Sequence, residues 1–175
     1  MKTISVDLTE SGINRALQEL QEYKRTFNQK VETFRARVAD EIQKRAAQGF
    51  DVAIVDDLLP TSGTPIKAQV SVTVEAGSDG ITAVIASGAD AVWVEFGAGV
   101  YHNGSAGSSP HPDGAALGYT IGSYGMGYGK RKVWGYKTED GRLILTHGTP
   151  AEMPLYTAAK EIADSIEVIA HEVFA

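Results

Sequence analysis

The longest pattern in the chain is an apolar stripe of helical spacing near the N-terminus. Its members recur at steps of three and four residues, which places them on one face of a helix. They are Ile13, Leu17, Leu20, Phe27, Val31, Phe34, Val38, Ile42 and Ala46, and Tyr23 or Lys24 fills the one seven-residue gap. The stripe predicts a long N-terminal helix that stops near Gly49, a residue typical of helix C-termini.

The length of this helix raises a question of continuity. A single helix over residues 11–48 would extend about 57 Å at 1.5 Å per residue, whereas a compact domain of this size is roughly 40 Å across. Either the protomer is elongated, or the helix is kinked near Thr26, where Thr-Phe-Asn-Gln has capping-box spacing. The apolar phase does not slip at Thr26, which favours a continuous helix or a mild kink.

Alternation of apolar and polar residues predicts the strands. Residues 68–75 alternate strictly and residues 81–87 return after a Gly-Ser-Asp-Gly turn, which indicates a β-hairpin. A second hairpin is predicted from Arg131–Lys137 and Arg142–Thr146, and Ala91–Phe96 is predicted as a further strand because it is rich in valine and aromatic residues. A short first strand is predicted around residues 4–8.

The C-terminal stripe from Tyr156 to Val173 predicts a second helix. Thr149 and Glu152 have the spacing of a capping box, although Pro154 favours a start of the regular helix nearer to itself. Residues 50–59 are equally compatible with helix and strand. The order of elements predicts a single α+β domain over residues 1–175, with an antiparallel sheet of about 4–6 strands and both helices packed on it.

Composition adds one abnormal segment. Ten of the 19 glycines lie within residues 97–129, which also hold four of the seven tyrosines and only one charged side chain, Asp113. We interpret residues 98–129 as a mobile loop that orders against another molecule, because tyrosines bind at low entropic cost and uncharged surface suits an interface. The expected contact residues are Tyr101, Tyr119, Ile121, Tyr124 and Tyr128. The alternative is a disordered surface insertion.

Charge and cysteine content exclude several classes of protein. The net charge is −6 and there is no cysteine, so disulfides, Cys-ligated zinc and thiol nucleophiles are absent. The only basic run is Lys130-Arg131-Lys132, too small for binding DNA by phosphate neutralisation. No apolar run approaches the length of a membrane span, and the N-terminus lacks the apolar core of a secretory leader. We expect no membrane partner and no specific nucleic acid.

Glu95 is the acidic residue that most needs explanation. It lies in an otherwise apolar segment, so its carboxylate must be solvated or paired. Arg131 and Lys132 are candidate partners. We predict a structural anchor formed by Trp93, Glu95, Phe96, Arg131 and Trp134 rather than a general base.

Enzyme motifs are weak in this chain. His102, His111 and Asp113 share the glycine-rich loop, but their spacing matches no metal template, and no nucleophile-elbow or phosphate-loop pattern is present. We predict no cofactor, no metal site and no catalysis. The alternative is a metal- or Ser-dependent hydrolase built around Glu95 and the histidines His102, His111 and His147.

Several stretches resemble a known family. Val94-Glu95-Phe96-Gly97-Ala98-Gly99 is similar to the V-E-F-G-T-G stretch of small neck or tail-completion proteins of long-tailed bacteriophages, with alanine in place of the usual threonine. Three later segments and the long N-terminal helix look similar to the same proteins, the segments being Gly122–Gly125, Lys130–Gly135 and His147–Tyr156.

This resemblance implies a minor structural protein of the virion, added at the head–tail junction after synthesis in the host cytoplasm. It implies self-association into a ring, commonly sixfold, with the connector on one side and the tail on the other. DNA would pass through such a ring without being specifically bound. No catalysis is implied.

Overall fold

One long helix begins the N-terminal part of the structure. The computed structural model describes residues 6–56, 58, 61–99, 109–119 and 133–175. Helix α1 (Glu10–Val52) runs through Thr26 without interruption, so the break that the capping-box spacing suggested there is absent. Thr9 caps the helix instead, because its hydroxyl accepts a hydrogen bond from the Gly12 amide at 3.1 Å.

Gly49 does not end α1, as the sequence had suggested. A Cβ atom at this position would lie 2.7 Å from the Cβ of Pro154. The glycine therefore permits close approach of another segment to the helix, and α1 continues to Val52.

Eight short strands follow, and in the described residues they pair two by two, always antiparallel. The pairs are β1 (Ile54–Asp56) with β2 (Ile66–Lys67), β3 (Ser71–Ala76) with β4 (Thr82–Ser87), β5 (Ala98–Gly99) with β8 (Gly148–Thr149), and β6 (Trp134–Lys137) with β7 (Leu143–Thr146). Both predicted hairpins, β3–β4 and β6–β7, are confirmed. The α+β class is confirmed as well, although separate two-stranded ribbons take the place of one sheet in this part of the chain.

The predicted strand at Ala91–Phe96 is wrong, because this segment forms a short helix, α2. Its buried residues are Ala91, Val94 and Glu95, which share one face at helical spacing, while Val92 and Trp93 are exposed. A strand would have turned Val94 and Glu95 to opposite sides. The β-propensity of valine and aromatic residues is a weak preference that burial overrides here.

The C-terminal segment forms two helices, α3 (Pro154–Asp164) and α4 (Ile166–Phe174), separated at Ser165. The expected start near Pro154 is confirmed. The capping-box interpretation of Thr149 and Glu152 is wrong, since the Thr149 hydroxyl donates to a β1 carbonyl and the Glu152 carboxylate accepts from a β1 amide at 3.3 Å. Both side chains therefore hold β1 beside the segment that precedes α3.

Two ambiguous regions are resolved by the same structure. Residues 50–52 complete α1, and residues 54–56 then form β1, so helix and strand share the segment that the sequence left open. Val6 and Leu8 precede α1 without forming a strand, and Ile4 lies outside the described residues.

The contacts divide the chain into two compact units. The first contains residues up to Val38 together with Ser165–Ala175, and Phe174 in it contacts both Phe27 and Phe34 at ring distances of 5.9 Å. The second is Ala39–Asp164. Its hydrophobic core consists of Ala46, Phe50, Ala53, Val72, Val94 and Ala158. The single-domain assignment stays a prediction.

No helix in the described ranges is long and apolar enough to cross a membrane.

Candidate functional site

Glu95 binds the start of helix α3 from within the second unit. Its side chain is buried, with 5% of the residue exposed. Oε2 accepts a hydrogen bond from the Leu155 amide at 2.9 Å, and Oε1 accepts one from the Tyr156 amide at 2.8 Å. These amides belong to the first turn of α3, where backbone N–H groups have no acceptor within the helix and the helix dipole favours a negative charge. Glu95 therefore supplies the cap that the sequence assigned to Thr149 and Glu152.

His111 lies against the same carboxylate. Its Nε2 is 3.4 Å from Glu95 Oε1, and only 7% of the residue is exposed. Its Nδ1 accepts a hydrogen bond from the Asp113 amide at 3.0 Å. Because Nδ1 accepts this hydrogen bond and Nε2 lies near Glu95, the imidazole joins residues 109–119 to α2.

Aromatic rings pack around this pair. Phe96 lies between His111, at 4.4 Å, and Tyr119, at 4.0 Å and nearly parallel, while Tyr156 meets His111 edge-on at 5.1 Å. We call Glu95, Phe96, Ser109, His111, Tyr119 and Tyr156 the Glu95–His111 cluster. Because the rings exclude water, the hydrogen bonds among them gain strength, and an unpaired polar group there would be costly.

Residues 109–119 form a loop with joined ends. The Ser109 amide donates to the Tyr119 carbonyl at 3.2 Å, and the Tyr119 amide donates to the Gly114 carbonyl at 2.8 Å. The Ser109 hydroxyl donates to the Phe96 carbonyl and accepts from the His111 amide at 3.1 Å. The loop is therefore attached to α2 by backbone and side-chain hydrogen bonds.

The cluster lacks the arrangement that nucleophilic catalysis needs. A serine nucleophile must hydrogen-bond a basic imidazole nitrogen, but the Ser109 hydroxyl is committed to the Phe96 carbonyl and His111 Nδ1 to the Asp113 amide. Both Glu95 oxygens accept hydrogen bonds from backbone amides of α3. No group of three or more metal-binding side chains occurs within the described ranges.

The structure places the other predicted site residues unevenly. Tyr119 is half-buried on Phe96, so its ring serves the chain's own fold. Trp93 is 40% exposed on the outer side of α2, and Trp134 begins β6. The remaining predicted residues lie outside the described ranges: Tyr101, His102, Ile121, Tyr124, Tyr128, Arg131 and Lys132. His147 lies between β7 and β8, apart in sequence from the cluster loop.

Sequence reasoning missed the pairing of Glu95 with His111 and the part played by Tyr156. The available signal was the spacing of Ala91, Val94 and Glu95, which marks a helical face once α2 is recognised as a helix. Such a face points the carboxylate inward, and a buried carboxylate needs donors.

Two further surfaces stand out in the two units. In the first unit, large apolar side chains of α1 are exposed between Ile13 and Phe27. In the second unit, an open groove of about 500 Å³ runs between α1 and α3. Four of its five charged residues pair with one another, Arg45 with Glu161 at 2.6 Å and Lys44 with Glu41 at 3.6 Å. The fifth, Glu152, accepts a hydrogen bond from the Ile54 amide.

Comparison with protein-family models, curated proteins and solved structures gives no match to this chain.

Proposed function

We propose that this chain is a structural protein of a bacteriophage virion that acts at the head–tail junction. In this proposal it completes the neck or tail by protein–protein association and performs no catalysis. It self-associates, with a sixfold ring as the expected form, and contacts connector and tail proteins.

The observation that carries the proposal is the meeting of two of the stretches that carry the family resemblance. Residues 94–99 and 147–156 are about fifty positions apart, yet Ala98 pairs with Thr149 and Gly99 with Gly148 in the β5–β8 ribbon. The Val94 carbonyl accepts the Glu152 amide at 2.9 Å. Glu95 then caps α3 within the second stretch. Two motifs that are distant in sequence but contact each other in the fold support a resemblance in structure as well as in sequence.

The glycine of the first stretch has a role in this joint. Gly97 has φ +79°, a backbone conformation that side chains disfavour. A Cβ atom there would lie 3.0 Å from the Cβ and 3.1 Å from the amide nitrogen of Ala151. The Phe96-Gly97 step therefore needs glycine for both the turn and the close approach of the two stretches.

The exposed apolar surface supports association rather than chemistry. Monomeric proteins expose scattered apolar residues, whereas a contiguous stripe marks an interaction surface. The first unit carries such a stripe on α1, and the polar groups of the Glu95–His111 cluster are used internally. An acidic chain of net charge −6 also suits a passage through which DNA moves, because like charge does not retain phosphates.

A genetic test addresses the proposal directly. In the phage or prophage that encodes this chain, deletion of its gene is expected to give DNA-filled heads and separate tails by electron microscopy. Expression of the wild-type chain in trans should restore joined particles. Quantitative mass spectrometry of purified virions should find the chain at several copies per particle.

Two results would contradict the proposal. Joined, infectious particles from the deletion strain would remove the assembly role. Absence of the chain from purified wild-type virions, together with a requirement for it in the infected cell, would instead favour a soluble activity such as the hydrolase alternative.

A further inference from the structure

Within the described residues, a row of large apolar side chains in the N-terminal half of α1 is exposed, and of this row only Phe27 contacts another helix, through Phe174 of α4. Ile13, Leu17, Leu20 and Phe27 are 43–53% exposed, and every residue from 20 to 29 is exposed. Lys24 completes the row. We call Ile13, Leu17, Leu20, Lys24 and Phe27 the α1 seam.

The spacing of the seam is that of a coiled coil. From Ile13 the positions step by 4, 3, 4, 3, 4, 3 and 4 residues to Val38, which is a strict 3.5-residue period. After Val38 the apolar positions step by four to Ile42, Ala46 and Phe50. The heptad period is thus confined to the part of α1 that belongs to the first unit, and it ends where the helix enters the packed core of the second.

The first unit already shows how this heptad surface is used. Helix α4 packs on its C-terminal half, with Phe174 contacting Phe27 and Phe34. Arg37 binds Glu172 at 2.5 Å, and Lys30 donates to the Phe174 and Ala175 carbonyls. In these contacts the later residues of α4 lie against the earlier residues of α1, so the two helices are antiparallel. Helix α4 ends level with Phe27, and the seam continues beyond it.

We propose that the α1 seam binds the same seam of a second copy of this chain, in antiparallel orientation. The open stretch runs from Glu10, where α1 begins, to Phe27, where α4 ends. An antiparallel pair centred on this stretch sets Leu17 against Leu20 of the second copy, and Ile13 against its Lys24. In heptad terms this register joins a positions to d positions, as antiparallel coiled-coil packing requires.

Charge supports this occupant and this direction. The positions that flank the seam are uncharged at Asn14, Ala16, Gln21, Tyr23 and Asn28. The flanking Lys30 is bound to the Phe174 and Ala175 carbonyls, so two seams meet without repulsion along most of their edges. In a parallel pair, Lys24 would face Lys24. In the antiparallel pair, Lys24 lies one helical turn from Glu10 of the second copy, and opposite charges meet.

The area of the seam indicates a reversible dimer. Half-exposed side chains of this size offer on the order of 100 Å² each, given about 150–250 Å² for a whole aromatic side chain. Four apolar seam residues and Tyr23 from each of two copies then bury about 1,000 Å², near the lower limit of a specific interface. We therefore expect dimerisation that depends on protein concentration.

This pairing is independent of the proposed function. An antiparallel contact between identical helices is isologous and closes on itself, so it makes a dimer and cannot alone build a ring. A ring at the head–tail junction would need a second surface. The solution state of the chain and its presence in virions are therefore separate measurements, and either can fail without the other.

The test uses sedimentation of the full chain over a range of concentrations. The wild type should shift from 18.6 kDa towards twice that mass as concentration rises. Leu20→Glu should raise the dimer dissociation constant by at least about tenfold, because it buries two unpaired carboxylates at the centre of the seam. Gln18→Glu is the matched control, since it introduces the same side chain two positions away, outside the seam, and should dimerise as the wild type does.

Orientation is tested by cross-linking, which the absence of native cysteine makes clean. An equimolar mixture of the Ile13→Cys and Lys24→Cys variants, carrying different tags, should form a disulfide between unlike chains on oxidation. Each variant alone should cross-link weakly. Circular dichroism of all variants should match the wild type, which shows that α1 remains folded.

Three outcomes would overturn the proposal. The wild type could remain at the monomer mass up to high concentration. Leu20→Glu could leave the oligomer unchanged, or weaken it no more than Gln18→Glu does. Finally, strong cross-linking of each cysteine variant with itself, and little between unlike variants, would show a parallel pair.

Discussion

Replacing Glu95 by glutamine removes one charge from the cluster while keeping the shape of the side chain. The carboxylate accepts backbone hydrogen bonds at both oxygens, from the Leu155 and Tyr156 amides, and also lies 3.4 Å from His111 Nε2. Glutamine offers one acceptor oxygen, and its amide group must then face a backbone N–H. One buried donor at the start of α3 is left without an acceptor.

The magnitude follows from that unsatisfied donor and from the lost charge. A buried donor without a partner costs about 1–3 kcal/mol, and loss of negative charge at a helix N-terminus adds about 0.3–1 kcal/mol. We therefore expect Glu95→Gln to lower the free energy of unfolding by about 1.3–4 kcal/mol. For a chain of this length, that corresponds to a fall in Tm of roughly 3–16 °C.

Urea unfolding followed by circular dichroism measures this loss, and hydrogen exchange at the Leu155 and Tyr156 amides reports it locally. Glu152→Gln is the matched control, because it makes the same change at an exposed carboxylate that binds a β1 amide at 3.3 Å. Its cost should stay below about 1 kcal/mol. The reasoning is refuted if Glu95→Gln unfolds within 0.5 kcal/mol of the wild type, or if the two variants lose equal stability.

Three further predictions concern single positions in the second unit. Gly97→Ala should destabilise the chain by about 1–3 kcal/mol in urea unfolding. The loss should exceed that of Gly118→Ala, because both glycines have positive φ but only a Cβ at position 97 would lie within 3.1 Å of other backbone atoms. Equal losses would contradict the close-approach argument. His111→Phe keeps an aromatic ring but removes the contacts of both imidazole nitrogens. The rate of limited proteolysis within residues 109–119 should therefore rise on the order of tenfold. An unchanged cleavage rate would contradict the anchoring role of the imidazole. The hydrogen bond from the Thr138 hydroxyl lowers the pKa of Asp140 below 3.8. The contribution of the ionised carboxylate to folding stability is therefore present above pH 3.8 and is lost as the pH falls through the lowered pKa. An NMR titration of Thr138→Ala should show a higher pKa for Asp140, and an unchanged pKa would refute this cause.

The sequence was informative where periodicity extends over many residues. The stripe of α1 holds its phase across Thr26, and that phase favoured a continuous or mildly kinked helix. The helix is continuous, whereas the four-residue capping pattern had suggested a break. The β3–β4 hairpin was predicted from the strict alternation along β3, where Val72 and Val74 are more buried than their neighbours. A periodic pattern over many residues is a more reliable signal because single residues that depart from it change the prediction little.

Short segments were predicted poorly, for a physical reason. Ala91–Phe96 has five apolar residues and Glu95, a pattern that fits a buried strand and a short helix equally well, and only contacts from distant residues decide between them. The same holds for the helix cap. Thr149 and Glu152 are local candidates, but the carboxylate of Glu95, about sixty positions earlier, reaches the first turn of α3. No spacing rule within a segment can anticipate a donor–acceptor pair formed by the fold.

Helix α1 begins in the first compact unit and ends in the second, and this sharing has a consequence for folding. The costly step in making a helix is its nucleation, after which each added residue costs little. Residues 39–52 are held in helical form by the core around Ala46 and Phe50, so residues 10–38 extend an existing helix rather than start a new one. The first unit has few buried side chains of its own. We therefore expect its part of α1 to unfold and refold by shortening and lengthening a helix that is already nucleated. The same residues excised as a peptide would have to nucleate alone.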